Sequence, residues 1–393
     1  MNNSKDNSNL LTTTCPGCSC LCDDIEVSVE DSKIKGVSNA CRKGASLFLN
    51  ANSAPCDIET AIDGAIRILK EARNPAIFGL DNTTLEAQHV AIKLARKLDC
   101  MIEDYSQIRY GNLFELLRSS KIPTCTLDEV RDRADISIFW GSDAMNAQPR
   151  HLSRFSYFPR GEHKQKGWEF DRHAVTIDLY RSSTAKVTKE YLKVEPGNDA
   201  LLMNEIMDVL SQKPPRSKDV LHFVNEIRKA AFGVIFAGTG LIQGLNRELG
   251  ELVEFMQKLN EYGEFRLIPM VVGYNMRGFV ETAGNSNLEV KGLFQQALLD
   301  DKIDAALIVG ADPLSDLPYP VSGKLRDIKT IVIDPRVTPT TEIADVVIHG
   351  ATPAIDAGGH AMRMDGVEFE FAPCINGELP SDEMILEMIL EGL

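Results

Sequence analysis

The sequence predicts an α/β protein built on parallel sheets, with a small cysteine-rich domain in front of it. Short strands that are apolar on both faces recur along the chain and alternate with stretches of helical length, a pattern typical of parallel sheets covered by helices on both sides. Four cysteines, Cys15, Cys18, Cys22 and Cys41, form a separate cluster near the amino end. With 393 residues the chain is long enough for two or three domains.

The amino-terminal part divides into two predicted segments. Residues 1–14 are polar, and we expect them to be a disordered tail. Residues 15–55 are expected to form the cysteine-rich domain, in which two alternating apolar stretches flank a turn at 30–32 and predict a β-hairpin. A hairpin brings its ends together, so Cys22 and Cys41 can meet across 18 intervening residues.

The rest of the chain alternates between helices and strands. Amphipathic patterns predict helices at 57–73 and 84–98. The predicted strands lie at 76–80, 100–103, 136–140, 175–179, 234–237, 266–270, 305–309, 330–333 and 346–348. The proline-containing stretch 213–218 is the clearest predicted linker.

Composition excludes several classes of partner. The net charge of -15 argues against nucleic acid and anionic membranes, which would repel the chain. The sequence lacks both an apolar stretch of roughly 18 residues, as needed to span a membrane, and the apolar core of a signal peptide. Cysteines crowded near the amino end of such a chain favour metal binding in a reducing cytoplasm over disulfides.

The spacing of the four cysteines suits two kinds of metal centre. Four converging thiolates bind either a [4Fe–4S] cluster or structural zinc. The cluster is favoured, because zinc ribbons more often use two paired Cys-x-x-Cys knuckles; unligated thiols are a third interpretation. Cys20 is expected to be a spectator. Four isolated cysteines are expected in the core: Cys56, Cys100, Cys125 and Cys374.

Five stretches resemble the B-type polypeptide of formylmethanofuran dehydrogenase: 15–25 (CPGCSCLCDDI), 39–42 (NACR), 134–143 (ADISIFWGSD), 149–156 (PRHLSRFS) and 333–345 (IDPRVTPTTEIAD). The resemblance implies the fold of the molybdopterin oxidoreductases, as in the first three domains of formate dehydrogenase. It implies one [4Fe–4S] cluster and, in dehydrogenase members, a bis-pterin tungsten or molybdenum centre. A second branch of the family is the bacterial formyltransferase/hydrolase complex, in which other subunits act on the formyl group and this one has no redox role.

The same resemblance implies the domain limits. A discontinuous α/β domain is expected at 56–109 and 213–350, interrupted by a Rossmann-like domain at 110–212. A hairpin and a helix are expected at 351–393. Residual pterin-nucleotide loops are expected at Gly141, Ser142, Asp143, Asp178, Gly310, Asp312, Asp334 and Arg336.

Residues at the expected redox centre favour the second branch. In the stretch 103–111 (EDYSQIRYG), Arg109 stands where the family has its metal-binding thiolate and Tyr110 where it has a histidine. A guanidinium is always protonated and has no free lone pair to donate to tungsten or molybdenum. Val271 stands where the family has an arginine, although a gap in the alignment would bring Arg277 there instead. Asp143 would repel a diphosphate, and Gln148 replaces a histidine.

The sequence therefore predicts a non-redox structural subunit of a formyltransferase/hydrolase complex, with A-, C- and D-type subunits as partners and formaldehyde oxidation to formate as its context. The alternative is a tungsten or molybdenum dehydrogenase subunit. Tungsten and pterin are expected to be absent. The basic stretch around His151, with Arg150, Arg154 and Arg160, is interpreted as a solvated or subunit-facing surface rather than a site for an anionic cofactor tail.

Overall fold

A computed structural model describes residues 9–50, 57–288 and 290–393. The chain divides into two compact units. The first contains residues up to Tyr105, Gly273–Arg363 and Glu368–Leu393, and the second contains Ser106–Val272 and Met364–Val367.

The strands are β1 (Asn9–Thr13), β2 (Ile25–Glu30), β3 (Lys33–Ser38), β4 (Pro75–Gly79), β5 (Met101–Glu103), β6 (Ile136–Trp140), β7 (His173–Asp178), β8 (Glu190–Lys193), β9 (Phe232–Ala237), β10 (Glu264–Pro269), β11 (Ala305–Val309), β12 (Lys329–Ile333), β13 (Val346–Ile348), β14 (Gly359–Met362) and β15 (Glu368–Phe371).

The helices are α1 (Arg42–Leu49), α2 (Ile58–Glu71), α3 (Leu85–Leu98), α4 (Ser106–Tyr110), α5 (Leu113–Arg118), α6 (Leu127–Arg133), α7 (Ala144–Ala147), α8 (Asp199–Leu210), α9 (Lys218–Lys229), α10 (Thr239–Gly244), α11 (Gly250–Leu259), α12 (Met276–Asn285), α13 (Phe294–Leu299), α14 (Pro313–Asp316), α15 (Tyr319–Ser322), α16 (Pro339–Ile343) and α17 (Asp382–Gly392). Single helical turns occur at Leu152–Ser156, Trp168–Phe170, Thr184–Lys186 and Gly323–Arg326.

The first unit is built on a five-stranded parallel sheet in the order β13-β12-β11-β4-β5. Its central strands are buried on both faces, and α17 packs on α2 and α3. Side-chain caps start the long helices: Asp57 accepts a hydrogen bond from the backbone N–H of Thr60, and Thr84 from that of Ala87. The predicted α/β class with parallel sheets is confirmed.

A three-stranded antiparallel sheet, β1-β2-β3, lies at the amino end of the first unit. Asp31 and Ser32 turn the β2–β3 hairpin with positive φ angles of 49° and 55°, as the sequence predicted. The prediction of a disordered tail over 1–14 is wrong for residues 9–13, which form β1 against β2. The strand β1 lies at the edge of the small sheet and its two leucines are exposed, so backbone pairing holds it and its sequence shows no apolar alternation. Residues 1–8 lie outside the described part.

The second unit contains another five-stranded parallel sheet, in the order β10-β9-β6-β7-β8. Aromatic side chains fill its core: the rings of Phe139 and Phe236 stack 5.0 Å apart, and the Trp140 ring meets that of Phe255 edge-on at 5.7 Å.

The predicted end of the inserted domain is corrected from residue 212 to residue 272. Residues 213–272 were placed with the first sheet, but β9 and β10 belong to the second, where β9 lies between β6 and β10. The proline-containing stretch 213–218 therefore joins α8 and α9 within one unit. Proline interrupts helices wherever they end, so it does not by itself mark a domain boundary.

All nine predicted strands occur within two residues of their expected limits. Residues 351–393 contain the β14–β15 hairpin and α17. Among the described helices, none combines the length and the apolar character that crossing a membrane requires.

Candidate functional site

The cysteine loop precedes β2 and returns on itself. The backbone N–H of Cys15 donates to the carbonyl oxygen of Cys22 at 2.9 Å, and that of Leu21 donates to Cys18 at 3.1 Å. Cys41 lies at the amino end of α1, after the hairpin. Cys15, Cys18 and Cys22 are buried, and Cys41 is partly exposed.

The four predicted ligand thiols lie close enough to interact electrostatically. Burial raises the pKa of the Cys15 thiol well above its usual range; the backbone N–H of Gly17 opposes this effect, and the thiols of Cys18, Cys22 and Cys41 add to it. The thiolate form is therefore unfavourable here without a nearby positive charge, which a metal centre supplies.

Two glycines lie against the sulfur of Cys15. A Cβ atom at Gly17 would be 3.2 Å from that sulfur, and one at Gly44 would be 2.9 Å from it. The Gly17 N–H donates to the same sulfur at 3.3 Å. The loop and the first turn of α1 therefore enclose this sulfur closely.

Four cysteine thiols form a donor set that suits a thiolate-bound group. Within residues 9–50, 57–288 and 290–393, no group of three or more His, Cys, Asp or Glu side chains is arranged to hold a metal ion. Cys20 is fully buried beside Cys18. Cys125 and Cys374 are buried as predicted, whereas Cys100 is only partly buried because it lies at the end of α3. Cys56 lies outside the described residues.

Arg109 and Tyr110 end the short helix α4. Arg109 is partly exposed, whereas Tyr110 is fully buried. The Tyr110 hydroxyl donates to the backbone oxygen of Met270 at 2.7 Å, and its ring meets that of Phe114 edge-on at 5.7 Å. Tyr110 is thus a packing residue whose hydroxyl proton is engaged by the backbone.

Val271 follows β10 and stands where the family resemblance expects an arginine. The side chain of Val271 is 1% exposed, and its backbone oxygen accepts a hydrogen bond of 2.8 Å from Nε2 of Gln148. Arg277, the alternative position, is buried in α12 of the first unit and pairs with Glu281 at 2.8 Å.

Two carboxylates, Asp143 and Asp178, lie at the carboxyl ends of strands of the second sheet. Oδ1 of Asp143 accepts hydrogen bonds from the backbone N–H and the hydroxyl of Thr184, at 3.0 and 2.7 Å. Asp178 ends β7, and burial together with the negative charge of Asp143 raises its pKa, while a hydrogen bond from the Leu179 N–H opposes the rise. Two neighbouring carboxylates at this edge are unfavourable for a diphosphate. Ser142, which precedes Asp143, is buried.

The glycines of this edge serve close backbone packing. Gly141 has a φ of +59°, and a Cβ atom there would be 2.1 Å from the backbone nitrogen of Leu241. The N–H of Gly238 donates to Trp140 at 2.9 Å, and that of Gly240 donates to Gly141 at 3.1 Å. The Gly238-Thr239-Gly240 turn is therefore a packing feature.

The corresponding loops of the first sheet are held by internal bonds. Oδ1 of Asp312 accepts a hydrogen bond of 2.5 Å from the Thr340 hydroxyl. Asp334 is fully buried and binds Arg336 through two hydrogen bonds of 3.0 and 2.9 Å. Gly310 turns with a φ of +59°. Of the predicted loop residues in this unit, Gly310, Asp334 and Arg336 line one cleft.

That cleft has a volume of about 940 Å³ and reaches from the cysteine loop to the carboxyl ends of β11 and β12. Such a volume is in the range of ligand sites. Sequence reasoning missed four of its lining residues: Arg42, Lys43, Asn82 and Tyr274. The first two follow Cys41 directly, so a basic pair beside a predicted ligand was an available signal. Asn82 and Tyr274 are distant in sequence and gave none.

Tyr274, which lines this cleft, interacts with the buried carboxyl group of Asp382. Burial and the neighbouring Asp334 charge raise the pKa of Asp382 to about 8, and the positive charge of Arg336 opposes this. Oδ1 of Asp382 and the hydroxyl of Tyr274 have no hydrogen-bond partner among the described residues. Tyr274 also has a raised pKa, because it is buried and faces Asp382.

His151 is a core residue rather than part of a basic surface. It is fully buried, its ring centroid lies 4.5 Å from that of Phe236, and its Nδ1 atom is 3.0 Å from the Ser156 hydroxyl. Arg160 nearby is exposed.

Comparison with known proteins finds relatives among curated proteins and among solved structures; two of the former and one of the latter are described. The chain is 31% identical to the B-type polypeptide of tungsten-containing formylmethanofuran dehydrogenase 2 from Methanocaldococcus jannaschii, over 95% of this chain and 96% of that one. It is 29% identical to the protein of the same name from Methanococcus maripaludis, over 96% and 97%. No profile of a known protein family matches.

The solved structure is the formyltransferase/hydrolase complex of Methylorubrum extorquens with methylofuran. One of its chains superposes with a TM-score of 0.67 at 18% identity, over 86% of this chain and 96% of that chain. At this identity the likeness concerns the fold.

Proposed function

Because the chain belongs to the family of B-type polypeptides of formylmethanofuran dehydrogenase, we propose that it is a non-redox structural subunit of a formyltransferase/hydrolase complex. Other subunits transfer the formyl group to a furan cofactor and hydrolyse it to formate. The context is tetrahydromethanopterin-linked oxidation of one-carbon units.

One observation carries the proposal: Arg109 and Tyr110 occupy the position where the family resemblance expects a metal thiolate and its histidine. Arginine cannot ligate a soft metal. The Tyr110 hydroxyl donates to the Met270 backbone, so it is not available as a proton relay. Val271 adds an apolar side chain where a cation is expected.

The second-sheet loops support the absence of a pterin dinucleotide. Asp143 and Asp178 put two carboxylates where a diphosphate would need donors or cations. The cleft of the first unit, in contrast, is large enough for a ligand and is lined by the cations Arg42 and Lys43. A bis-pterin centre needs both sets of loops, so the residues present do not fit it.

We propose that Cys15, Cys18, Cys22 and Cys41 bind a [4Fe–4S] cluster that holds the amino-terminal sheet to α1. The cluster is favoured over zinc because zinc ribbons more often use two paired Cys-x-x-Cys knuckles, which this spacing lacks. When bound, such a cluster supplies one-electron transfer. With no redox centre expected beside it, its role is structural or a remnant of redox ancestry.

The proposal extends to fold and partners. The small cysteine-rich sheet and the two parallel sheets, one within a chain segment inserted into the other unit, support a molybdopterin-oxidoreductase-like fold. The relatives are subunits by name and the solved structure is of a multi-subunit complex, which supports A-, C- and D-type subunits as partners. The cysteines crowded near the amino end favour the reducing cytoplasm as the location.

A second candidate is a tungsten or molybdenum dehydrogenase subunit with unusual metal ligation. The names of the two curated relatives favour it. Arg109 argues against it, since the metal would need another ligand.

Metal and pterin analysis of the anaerobically purified complex tests the proposal. We expect about four iron atoms per chain and neither tungsten, molybdenum nor extractable pterin. Stoichiometric tungsten or molybdenum with pterin would establish the second candidate and refute the first. Stoichiometric zinc instead of iron would refute the cluster and leave the non-redox role in place.

A further inference from the structure

A fifth cysteine lies inside the cysteine loop, residues 15–22, without belonging to the predicted ligand set. Cys20 is fully buried and is the third residue of a tight turn. The turn is closed by the hydrogen bond of 3.1 Å from the Leu21 N–H to the Cys18 oxygen. A thiol that is held inside this turn lies beside a predicted ligand and is shielded from solvent.

The Cys20 thiol donates a hydrogen bond to the sulfur of Cys18. The two residues are the first and third of the same turn, so the backbone keeps their side chains near each other. Ser19 and Leu21, on either side of Cys20, are also buried, which protects the contact from water. A neutral thiol is a weak donor, but the bond becomes charge-assisted when the acceptor sulfur is a thiolate.

A second ligand sulfur also receives a hydrogen bond. The Gly17 N–H donates to the sulfur of Cys15 at 3.3 Å. Arg363 is 2% exposed and lies close enough to Cys20 to interact with it electrostatically. The cysteine loop therefore provides donors to two of the four predicted ligands, and a buried cation lies near one of these donors.

We propose that Cys20 is a positioning residue of the [4Fe–4S] cluster, whose reduction potential it raises by donating to the Cys18 thiolate. This inference rests on the proposed function, which places the cluster on the four predicted ligand cysteines. Hydrogen bonds to the sulfurs are among the factors that set the potential of such clusters. A donor stabilises the reduced cluster more than the oxidised one, because the reduced cluster carries more negative charge.

A raised potential suits a cluster with a structural role. Transfer of one electron from the cluster to dioxygen gives an oxidised cluster and superoxide, and a higher potential makes this transfer less favourable. The hydrogen bond from Cys20 therefore helps to keep the cluster in its reduced states when no redox partner lies beside it.

The test compares Cys20→Ala with Cys20→Ser in the anaerobically purified complex. Alanine removes the donor, whereas serine keeps a hydroxyl that can donate to the same sulfur. At a fixed potential we expect the ratio of reduced to oxidised cluster to fall at least about threefold in Cys20→Ala. In Cys20→Ser the ratio should stay within about twofold of wild type. Potentiometric titration followed by EPR spectroscopy measures it, and a wild-type ratio in Cys20→Ala, or an equal fall in both variants, would overturn the inference.

Cys125→Ala is the matched control, because it also removes a buried thiol, but in the second unit. We expect it to keep the wild-type ratio within about twofold. All three variants should retain about four iron atoms per chain. Loss of iron in Cys20→Ala alone would identify Cys20 as a ligand and overturn the positioning role.

Iron analysis of the unaltered complex separates this inference from the proposal beneath it. If the wild type contains zinc or no metal, the proposed cluster itself fails, and the role of Cys20 fails with it. If the wild type contains the cluster and the potential does not respond to Cys20→Ala, only the present inference is refuted.

Discussion

The hydroxyl of Tyr110 donates a hydrogen bond of 2.7 Å to the backbone oxygen of Met270. Tyr110 ends α4 and Met270 follows β10, so the bond joins two segments separated by 160 residues. It gives a packing reason for tyrosine at a position where the family resemblance expects a histidine.

The first prediction concerns Tyr110→Phe. The substitution removes the hydroxyl and leaves the Met270 oxygen without this donor, so we expect the free energy of unfolding to fall by about 1–2 kcal/mol. Urea denaturation measures the change. Formyl hydrolysis by the assembled complex should stay within about twofold of wild type, since a hydrogen bond of this size affects stability and not the reaction. A large loss of hydrolysis in a fully assembled complex would contradict the packing role.

The second prediction concerns Arg109→Ala. Because Arg109 is partly exposed and no redox chemistry is assigned to it, we expect formyl hydrolysis to change by less than about twofold. Arg109→Cys restores a thiol and should behave in the same way, without recruiting tungsten or molybdenum. Steady-state hydrolysis assays and elemental analysis check both variants, with complex assembly measured in parallel. A metal-loaded Arg109→Cys variant would indicate a retained pterin site.

The third prediction concerns Cys15→Ser. Cys15 is enclosed by Gly17 and Gly44 and interacts with the thiols of Cys18, Cys22 and Cys41. If the four thiols bind the proposed cluster, the serine should reduce iron from about four to less than about one atom per chain. Cys100→Ser is the matched control, since Cys100 follows α3, apart from these four cysteines, and it should retain full iron. Iron analysis and the visible absorption spectrum after anaerobic purification give the result. Equal iron in the two variants would exclude Cys15 as a ligand of the iron site.

The fourth prediction concerns Gly141→Ala. The φ of +59° is unfavourable for alanine, and the new Cβ atom would be 2.1 Å from the Leu241 nitrogen. We expect a loss of at least about 3 kcal/mol in the free energy of unfolding. The control is Gly250→Ala in the first turn of α11, where a Cβ atom meets nothing within 4 Å and where alanine should stabilise by up to about 1 kcal/mol. Chemical denaturation compares them, and a neutral Gly141→Ala would show that the two loops can separate.

The fifth prediction concerns the pH dependence caused by Asp382. Its folded-state pKa of about 8 lies above the ordinary value of about 3.9. The native state therefore binds more protons than the unfolded chain between these values, and its stability falls as pH rises through that window. The neutral Asp382→Asn should remove this dependence and raise the free energy of unfolding above pH 8 by at least about 2 kcal/mol.

The control for that experiment is Asp300→Asn. Its hydrogen bonds from Lys302 and Gln296 lower the Asp300 pKa, so it titrates below the window. Urea denaturation between about pH 5 and pH 9 gives the free energy of unfolding as a function of pH. The slope of this dependence should equal that of the wild type in Asp300→Asn and should be smaller in Asp382→Asn. The wild-type slope in both would indicate that Asp382 is ionised in the folded protein.

Local sequence predicted the elements because each carries its own periodicity. The strand β11 is apolar throughout and β6 is apolar except for Ser137, since helices cover both faces of a parallel sheet. The strands β1 and β8 were missed because both are short strands at the edge of a sheet whose apolar residues do not alternate with polar ones.

Sheet membership could not be predicted in the same way. The position of β9 between β6 and β10 depends on pairing across long sequence separations, which leaves no local signal. The proline stretch at 213–218 suggested a domain boundary that the pairing places sixty residues later, near 272.

The sequence by itself determined the α/β class, the family and the identity of the cysteines and of Arg109, because these are properties of residue type and spacing. Only the tertiary structure decided that the Tyr110 hydroxyl is engaged by Met270, that Asp143 is held by Thr184, and that Arg42 and Lys43 share a cleft with Arg336. Those relationships depend on burial and on contacts between distant segments. Side-chain chemistry can be read along the chain, but the partner that each side chain meets is fixed by folding.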